Sequence, residues 1–161
     1  MTRPTAPRAL ILCADDYALH PLVDAAVEQL TLAARLSATS CMTTSLRWVQ
    51  AAPRLKALRP RLSVGLHFNL TESHGGAVPA YALGDVIKKA YTRQFSAAAL
   101  RLQWQQQLDA FEQALGTAPD FIDGHQHVHQ LPGMRDAMQE ALHQRYAGSD
   151  MPWVRSPTPA G

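Results

Sequence analysis

Four ionisable side chains follow a short apolar run at alternating positions: Asp123, His125, His127 and His129. Neutral imidazole is the commonest metal ligand in proteins. Side chains two residues apart on a strand share a face, so the spacing predicts a strand that ends in a polar site. Clustered polar groups are costly to bury without partners. We therefore expect a functional site at this segment.

Two earlier apolar runs end in the same way. Residues 9–14 lead into the adjacent carboxylates Asp15 and Asp16, and a later run leads into His67, with Asn69 two positions further on. The carboxyl ends of parallel strands meet at one edge of an α/β sheet, where active sites form. We expect these side chains to converge there. Taken alone, Asp15 and Asp16 would equally suit a turn, and His67 would be an ordinary strand-end histidine.

Predicted strands and helices alternate along the chain. The longest helix is the most clearly marked, because Ser96 is a favoured N-cap, apolar residues recur at helical spacing, and Gly116 suits the helix end. Residues 72–95 are predicted to be the longest irregular segment, and loops of that length are commonly functional. The predicted strands cover residues 9–14, 36–42, 62–67 and 120–125, with a fifth starting at 153; the other predicted helices begin at 21, span 48–58 and follow 133.

This order indicates the α/β class, with a parallel sheet of repeated βα units joined by right-handed crossovers. The whole chain, residues 1–161, is expected to form one domain. A doubly wound sheet and part of a (β/α) barrel both fit the pattern. A complete eight-stranded barrel takes about 250 residues, so this chain would supply the N-terminal half of one.

Composition narrows the class of protein. The formal net charge is +2 and the basic residues are scattered, which argues against a nucleic-acid partner. The segment before Asp15 contains a run of about six apolar residues, shorter than a signal-peptide core or the roughly 20 residues of a membrane span. Cys13 and Cys41 lie in apolar runs without a CxxC pattern and are expected to be free thiols. These features predict a cytoplasmic protein that does not associate with membranes.

One aspartate and two histidines from three strand ends would form a ligand set with open coordination positions. Such a set suits a hydrolytic metal ion, while a second carboxylate beside it serves as general base. The residues thus predict metal-assisted hydrolysis of an amide or ester. His125 and His127 are also similar to the HxH pair of amidohydrolase-type enzymes, but there the pair normally lies on the first strand.

Three segments together carry a resemblance to a known family: Cys13–Tyr17 (CADDY), Gly65–Thr71 (GLHFNLT) and Ile122–His129 (IDGHQHVH). In order and spacing they resemble the signature segments of the YdjC-like carbohydrate deacetylases, and the similarity runs from about residue 9 to residue 156. The resemblance implies a barrel-like α/β fold related to polysaccharide deacetylases. It also implies a hydrolase that removes acetyl groups from N-acetylated sugars such as chitooligosaccharides.

By position, the resemblance implies that Asp16, His67 and His125 bind one divalent metal ion and that Asp15 is the base that activates water. The family is commonly described with magnesium, whereas two imidazoles and one carboxylate suit zinc or another transition metal. The resemblance gives four further residues a role in contacting the substrate or orienting the metal ligands. These are Asn69, Asp123, His127 and His129.

The chain departs from the family at two positions and in length. The family usually has Gly where Ala18 and Ser73 stand. Because the sequence stops as the predicted fifth strand begins, we expect the chain to be truncated relative to the family. Three alternatives follow: a truncation of the gene or of the expressed chain, a short member that completes its sheet as a homodimer across the open edge, or a non-catalytic metal- or sugar-binding remnant.

Overall fold

A five-stranded sheet lies at the centre of the structure, a computed structural model that describes residues 10–73, 80–148 and 150–156. All neighbouring strands are parallel, and their order across the sheet is their order along the chain. This confirms the predicted α/β class with a parallel sheet. A sequential order is that of a barrel, since a doubly wound sheet reverses its strand order. The strands are β1 (Cys13–Tyr17), β2 (Ala38–Cys41), β3 (Ser63–Phe68), β4 (Phe121–Gly124) and β5 (Trp153–Val154).

Helices follow the first four strands, and the best-marked ones begin and end as predicted. The longest starts behind the N-cap Ser96, whose side chain accepts a hydrogen bond from a backbone N–H, and ends at Gly116, where φ is 77°. This φ lies in the left-handed region that favours glycine. The helices are α1 (Pro21–Leu32), α2 (Trp48–Leu58), α3 (Leu83–Tyr91), α4 (Ala97–Leu115) and α5 (Met134–Tyr146).

The prediction of an irregular segment over residues 72–95 is wrong for α3. This helix buries Val86 and Ala90, which are four residues apart and so lie on one face. It has no side-chain N-cap, since Ala82 precedes it, and this hid its start in the sequence. Residues 74–79, which include the glycine pair of the predicted loop, lie outside the described residues. So do residues 1–9, the first part of the segment on which the signal-peptide prediction rests.

The hydrophobic core lies between the helices and one face of the sheet. Val64, Leu66 and Phe68 of β3 point into it. Phe68 stacks on Trp104 of α4 with ring centroids 3.6 Å apart, and both rings are fully buried. Because side chains alternate along a strand, His67 points to the opposite face of the sheet. The core therefore determines which side chains of β3 reach the site.

The opposite face of the sheet has an aromatic layer below the polar strand ends. Phe121 of β4 is buried and stacks on Trp153 of β5, with centroids 4.7 Å apart. Gly65 of β3 leaves room for the Phe121 ring, because a Cβ at Gly65 would lie 2.5 Å from it. Trp153 remains 42% exposed at the open edge of the sheet.

The two cysteines match a further prediction. Cys41 is buried and Cys13 is half-buried, and both are free. In the described ranges, no helix has the length and apolar character needed to cross a bilayer.

Candidate active site

Asp15 and Asp16 reach the same side of the sheet because β1 carries a bulge. The register with β2 shifts between Ala14 and Tyr17, so two residues of β1 lie opposite Ser40 alone. Neighbours on a regular strand point to opposite faces, whereas a bulge re-aims one of them. Asp16 takes the required left-handed conformation, with φ of 65°. Both aspartates therefore belong to the end of the strand and not to the turn that follows it.

The turn after the two aspartates is also strained. Ala18 has φ of 75°, the left-handed region that glycine adopts at no cost and alanine at about 1–2 kcal/mol. Its N–H donates to Asp24 Oδ1 over 2.7 Å, and its carbonyl accepts a 2.7 Å hydrogen bond from Ser45 Oγ. These two bonds hold the conformation. The glycine that the resemblance leads us to expect at this position would adopt it freely.

His67, near the end of β3, and His125, directly after β4, both face Asp16. His67 Nε2 lies 3.4 Å from Asp16 Oδ1, and His125 Nδ1 lies 3.0 Å from the same oxygen. The ligand atoms of these three residues all lie within 4.8 Å of one another. Ligands that surround one ion at about 2 Å are separated by distances of this order. The three residues expected from the sequence to bind metal therefore fit one divalent ion.

The ionisation of the ligand set is governed by its internal hydrogen bonds. The bond with His125, followed by that with His67, holds the pKa of the Asp16 carboxyl well below its usual range. Burial lowers the pKa of His67, but hydrogen bonds to Asp123 and Asp16 outweigh burial and raise this pKa to about 9. Without metal, His67 is thus a cation at neutral pH. A metal ion would have to displace a proton from it.

Asp123 orients His67 from behind. Its Oδ1 lies 2.6 Å from His67 Nδ1, and the carboxylate is 1% exposed. A carboxylate that accepts the proton on one ring nitrogen of a histidine fixes the tautomer and leaves the other nitrogen to the metal. Here the other nitrogen is Nε2, which faces Asp16. Asp123 therefore lies behind a candidate metal ligand, His67.

Arg155 joins this site although the sequence patterns did not identify it. Its guanidinium donates to Asp15 Oδ2 over 2.7 Å and lies 2.8 Å from Asp123 Oδ2. The second contact is an ion pair without hydrogen-bond geometry. Arg155 directly follows β5, just as the other site residues come at or after the ends of their strands. That position was the available signal, although β5 is only two residues long.

Arg155 also sets the charge of Asp15. Burial raises the pKa of the Asp15 carboxyl, but the hydrogen bond from Arg155 and the charge of His67 outweigh burial and lower this pKa. Cys13 donates a weak hydrogen bond to the other oxygen of Asp15, with the sulfur 3.5 Å away. Asp15 is therefore ionised and held from two sides.

A second group of possible ligands, Cys13, Asp15 and Asp123, also lies within 4.8 Å. Burial raises the pKa of the Cys13 thiol to about 12, so the thiol is protonated as long as no metal ion is bound. The guanidinium of Arg155 already supplies the positive charge for both carboxylates. This group is thus an arginine site and the Asp16 set is the candidate metal centre.

The prediction that the histidines alternate along a strand is wrong. The strand ends at Gly124, and residues His125–Gln130 form a 3₁₀ turn that is interrupted by left-handed residues. Gln126 and His127 have φ of 52° and 60°. Each kink rotates the following side chains, so the histidines that share spacing in the sequence do not share a face.

The kinked turn sends the three histidines in different directions. His125 faces Asp16, whereas His127 is exposed to solvent. His129 is buried, and its Nε2 lies 3.1 Å from the carbonyl oxygen of Arg155. His129 therefore contacts the backbone of the residue that holds Asp15.

Asn69 shapes the turn that follows β3. It is fully buried, its Oδ1 accepts hydrogen bonds of 3.0 Å from the N–H groups of Thr71 and Glu72, and its Nδ2 donates to the Glu72 carbonyl over 2.8 Å. The side chain is thus engaged within the protein. One result is that Glu72 Oε1 lies 3.8 Å from His125 Nε2.

Comparison with known proteins places this site in a family. The sequence profile described as YdjC-like protein matches residues 9–161. The chain belongs to the YdjC-like family. This confirms the family resemblance that the three sequence segments carry. The residues that converge at the site come from all three segments, with Arg155 added from the fifth strand.

Several YdjC-like relatives have curated names. The chain is 32% identical over 155 residues to a carbohydrate deacetylase of Homo sapiens, an alignment that covers 88% of this chain and 47% of the relative. It is 28% identical over 142 residues to a chitooligosaccharide deacetylase of Proteus mirabilis, covering 84% and 56%. The chain thus spans about half the length of the curated relatives it matches.

A solved structure shares the fold. It is that of a candidate cellobiose-phosphate cleavage protein from Enterococcus faecalis, with a TM-score of 0.69 and 20% sequence identity. The match covers 92% of this chain and 59% of the other. This likeness confirms the sheet and its helices as a known arrangement.

Proposed function

We propose that this YdjC-like chain carries the catalytic centre of a metal-dependent carbohydrate deacetylase, which hydrolyses the acetyl amide of an N-acetylated sugar. The observation that carries the proposal is the set formed by Asp16, His67 and His125, with the ionised Asp15 carboxylate next in sequence and within electrostatic reach of His67. A base next to a metal-ligand set is the arrangement that amide hydrolysis requires. The names of the relatives support a sugar acetamide as the substrate.

Asp15 acts as the general base in this proposal. Its carboxylate is ionised, held by Arg155, and next in sequence to Asp16. It takes a proton from a water molecule whose oxygen adds to the acetyl carbon. The carbon–nitrogen bond then breaks, acetate leaves, and the sugar amine takes up a proton. A divalent ion bound by the ligand set would polarise the acetyl carbonyl and acidify the water.

Asp123 and Arg155 act through other residues. Asp123 keeps the Nε2 of His67 directed at the ligand set. Arg155 fixes the orientation of Asp15 and separates its charge from that of Asp123. Positioning of this kind is a large part of catalysis, because small displacements of a reacting group cost large factors in rate.

The donor set supports zinc or another transition metal more than magnesium. Two imidazole nitrogens suit borderline ions, whereas magnesium prefers oxygen ligands. The resemblance points to magnesium. Both ions therefore belong in the test of function, together with a chelator.

The deciding experiment measures acetate release from N,N′-diacetylchitobiose by the chain, after chelation and after adding back zinc or magnesium. We expect release that depends on metal. Asp15→Asn should retain metal and lose about 10²–10⁴-fold in turnover, the usual contribution of a general base. Asp16→Ala should lose both the bound metal and the turnover. Asp109→Asn, which removes an exposed partner of Arg145, is the control and should match the wild type.

Retained stoichiometric metal in Asp16→Ala would refute the ligand assignment. A second candidate function is that of a metal- or sugar-binding remnant without turnover. It is favoured by one observation, the coverage of only about half of each curated relative. Metal binding without acetate release from any acetylated sugar would support it.

A further inference from the structure

Glu72 stands behind His125 in the way that Asp123 stands behind His67. His125 Nδ1 faces Asp16, so its Nε2 points away from the ligand set. This nitrogen is buried and has no hydrogen-bond partner within the described residues. A carboxylate oxygen, Glu72 Oε1, lies 3.8 Å from it. A buried polar nitrogen without a partner calls for an explanation, because such groups are rare in folded proteins.

The backbone of Glu72 is held in place by buried groups. Asn69 bonds both its N–H and its carbonyl group, at 3.0 and 2.8 Å. Asn69 is itself clamped by Gln107 of α4, which accepts from its N–H at 2.9 Å and donates to its carbonyl at 2.8 Å. Both Asn69 and Gln107 are buried. The start of the Glu72 side chain is therefore fixed beside His125, while the side chain as a whole is 46% exposed.

We infer that Glu72 is a positioning residue, which accepts a hydrogen bond from His125 Nε2–H when Nδ1 binds a metal ion. A rotation that brings Oε1 closer by less than 1 Å would complete this bond, since N–H···O hydrogen bonds measure about 2.9 Å. Both histidines of the ligand set would then have a carboxylate on the nitrogen that faces away from the metal. Such partners fix the tautomer and make the imidazole a stronger ligand. The inference rests on the proposed metal centre.

The test is the affinity of the metal-free chain for Zn²⁺, measured by competition with a chromophoric chelator. We expect Glu72→Gln to bind Zn²⁺ about tenfold more weakly than the wild type, at the low end of the range for residues behind metal ligands because Glu72 is partly exposed. The unfolding midpoint of the metal-free chain should stay unchanged. Asp85→Asn, which changes another exposed carboxylate, is the matched control and should bind like the wild type.

A spectroscopic readout separates positioning from direct ligation. In the Zn²⁺-loaded, ¹⁵N-histidine-labelled wild type, the His125 Nε2–H proton should exchange slowly and resonate far downfield. In Glu72→Gln it should move upfield and exchange faster. Weaker binding with an unchanged Nε2–H resonance would overturn the inference, because Glu72 would then act on the ion itself. Equal affinity in Glu72→Gln and wild type would overturn it too, whereas a wild type that binds no Zn²⁺ would refute the metal centre as a whole.

Discussion

Replacing Arg155 with glutamine should destabilise the metal-free protein by about 2 kcal/mol at pH 7. A hydrogen bond to a charged group contributes about 1.5–3 kcal/mol to stability. For the bond from Arg155 to Asp15 we expect a contribution of about 1 kcal/mol, because both side chains are partly exposed to water. The ion pair with Asp123 contributes a similar amount. Asp123 keeps His67 as a partner, so the full cost of an unpaired buried charge, about 3–5 kcal/mol, does not arise.

The assay is thermal unfolding followed by circular dichroism in the presence of a chelator. For a chain of this size, 1 kcal/mol corresponds to about 2–4 °C, so Tm should fall by about 4–8 °C. Arg135→Gln is the matched control, because Arg135 is 61% exposed and lies 3.7 Å from Asp136. Its Tm should change by less than about 2 °C.

The pH dependence identifies the source of the effect. The pKa of Asp15 is lowered in the folded protein, so its contribution to stability is present above the unfolded pKa of about 3.9. This stabilising contribution is lost as the pH falls through the pKa that Asp15 has in the folded protein. The difference between wild type and Arg155→Gln should therefore shrink below about pH 4. Equal Tm losses in Arg155→Gln and Arg135→Gln at pH 7, or a difference that does not depend on pH, would refute the reasoning.

Two further predictions concern proton release and packing. Because the pKa of His67 is raised to about 9, Zn²⁺ binding at pH 7.5 should release about one proton. Calorimetry in buffers of different ionisation enthalpy measures the number of protons released. No release would contradict the protonated state of His67 in the metal-free protein. The same shift means that His67 stabilises the metal-free fold below about pH 6.5, a contribution that disappears as the pH rises through 9. Gly65→Ala should lower the free energy of unfolding by about 1–3 kcal/mol, because its Cβ would meet the Phe121 ring. In the control Gly84→Ala, the added Cβ would meet no atom within 4 Å, and the residue lies in a helix, so the free energy of unfolding should rise by up to about 1 kcal/mol. Urea unfolding measures the change in both variants. Similar changes in the two would contradict the packing account.

The sequence predicted the elements whose ends carry strong local signals. Helix α2 has the predicted bounds, and α4 begins and ends at the predicted cap residues Ser96 and Gly116. The convergence of Asp16, His67 and His125 was also expected, because parallel strands bring their carboxyl ends together. These features depend on local capping and on strand direction, and both can be derived from a single sequence.

The features that were missed depend on backbone conformations without a local signal, or on contacts between distant parts of the chain. Gln126 and His127 are left-handed although neither is a glycine, so the kink that separates the histidines could not be predicted from residue types. Arg155 lies 140 positions from Asp15 and belongs to no motif. Only the sheet order, with β5 beside β4, brings its guanidinium to both carboxylates.

The bulge in β1 links the strain of this site to its chemistry. A regular strand would direct Asp15 and Asp16 to opposite faces and bury one carboxylate among the apolar residues under the helices. The left-handed conformation of Asp16 costs about 1–2 kcal/mol, and it places the base and the metal ligand on the same face. The hydrogen bonds of Asp16 with His67 and His125, and of Asp15 with Arg155, offset that cost. The strain persists because the residues that would do the chemistry also hold the backbone in place.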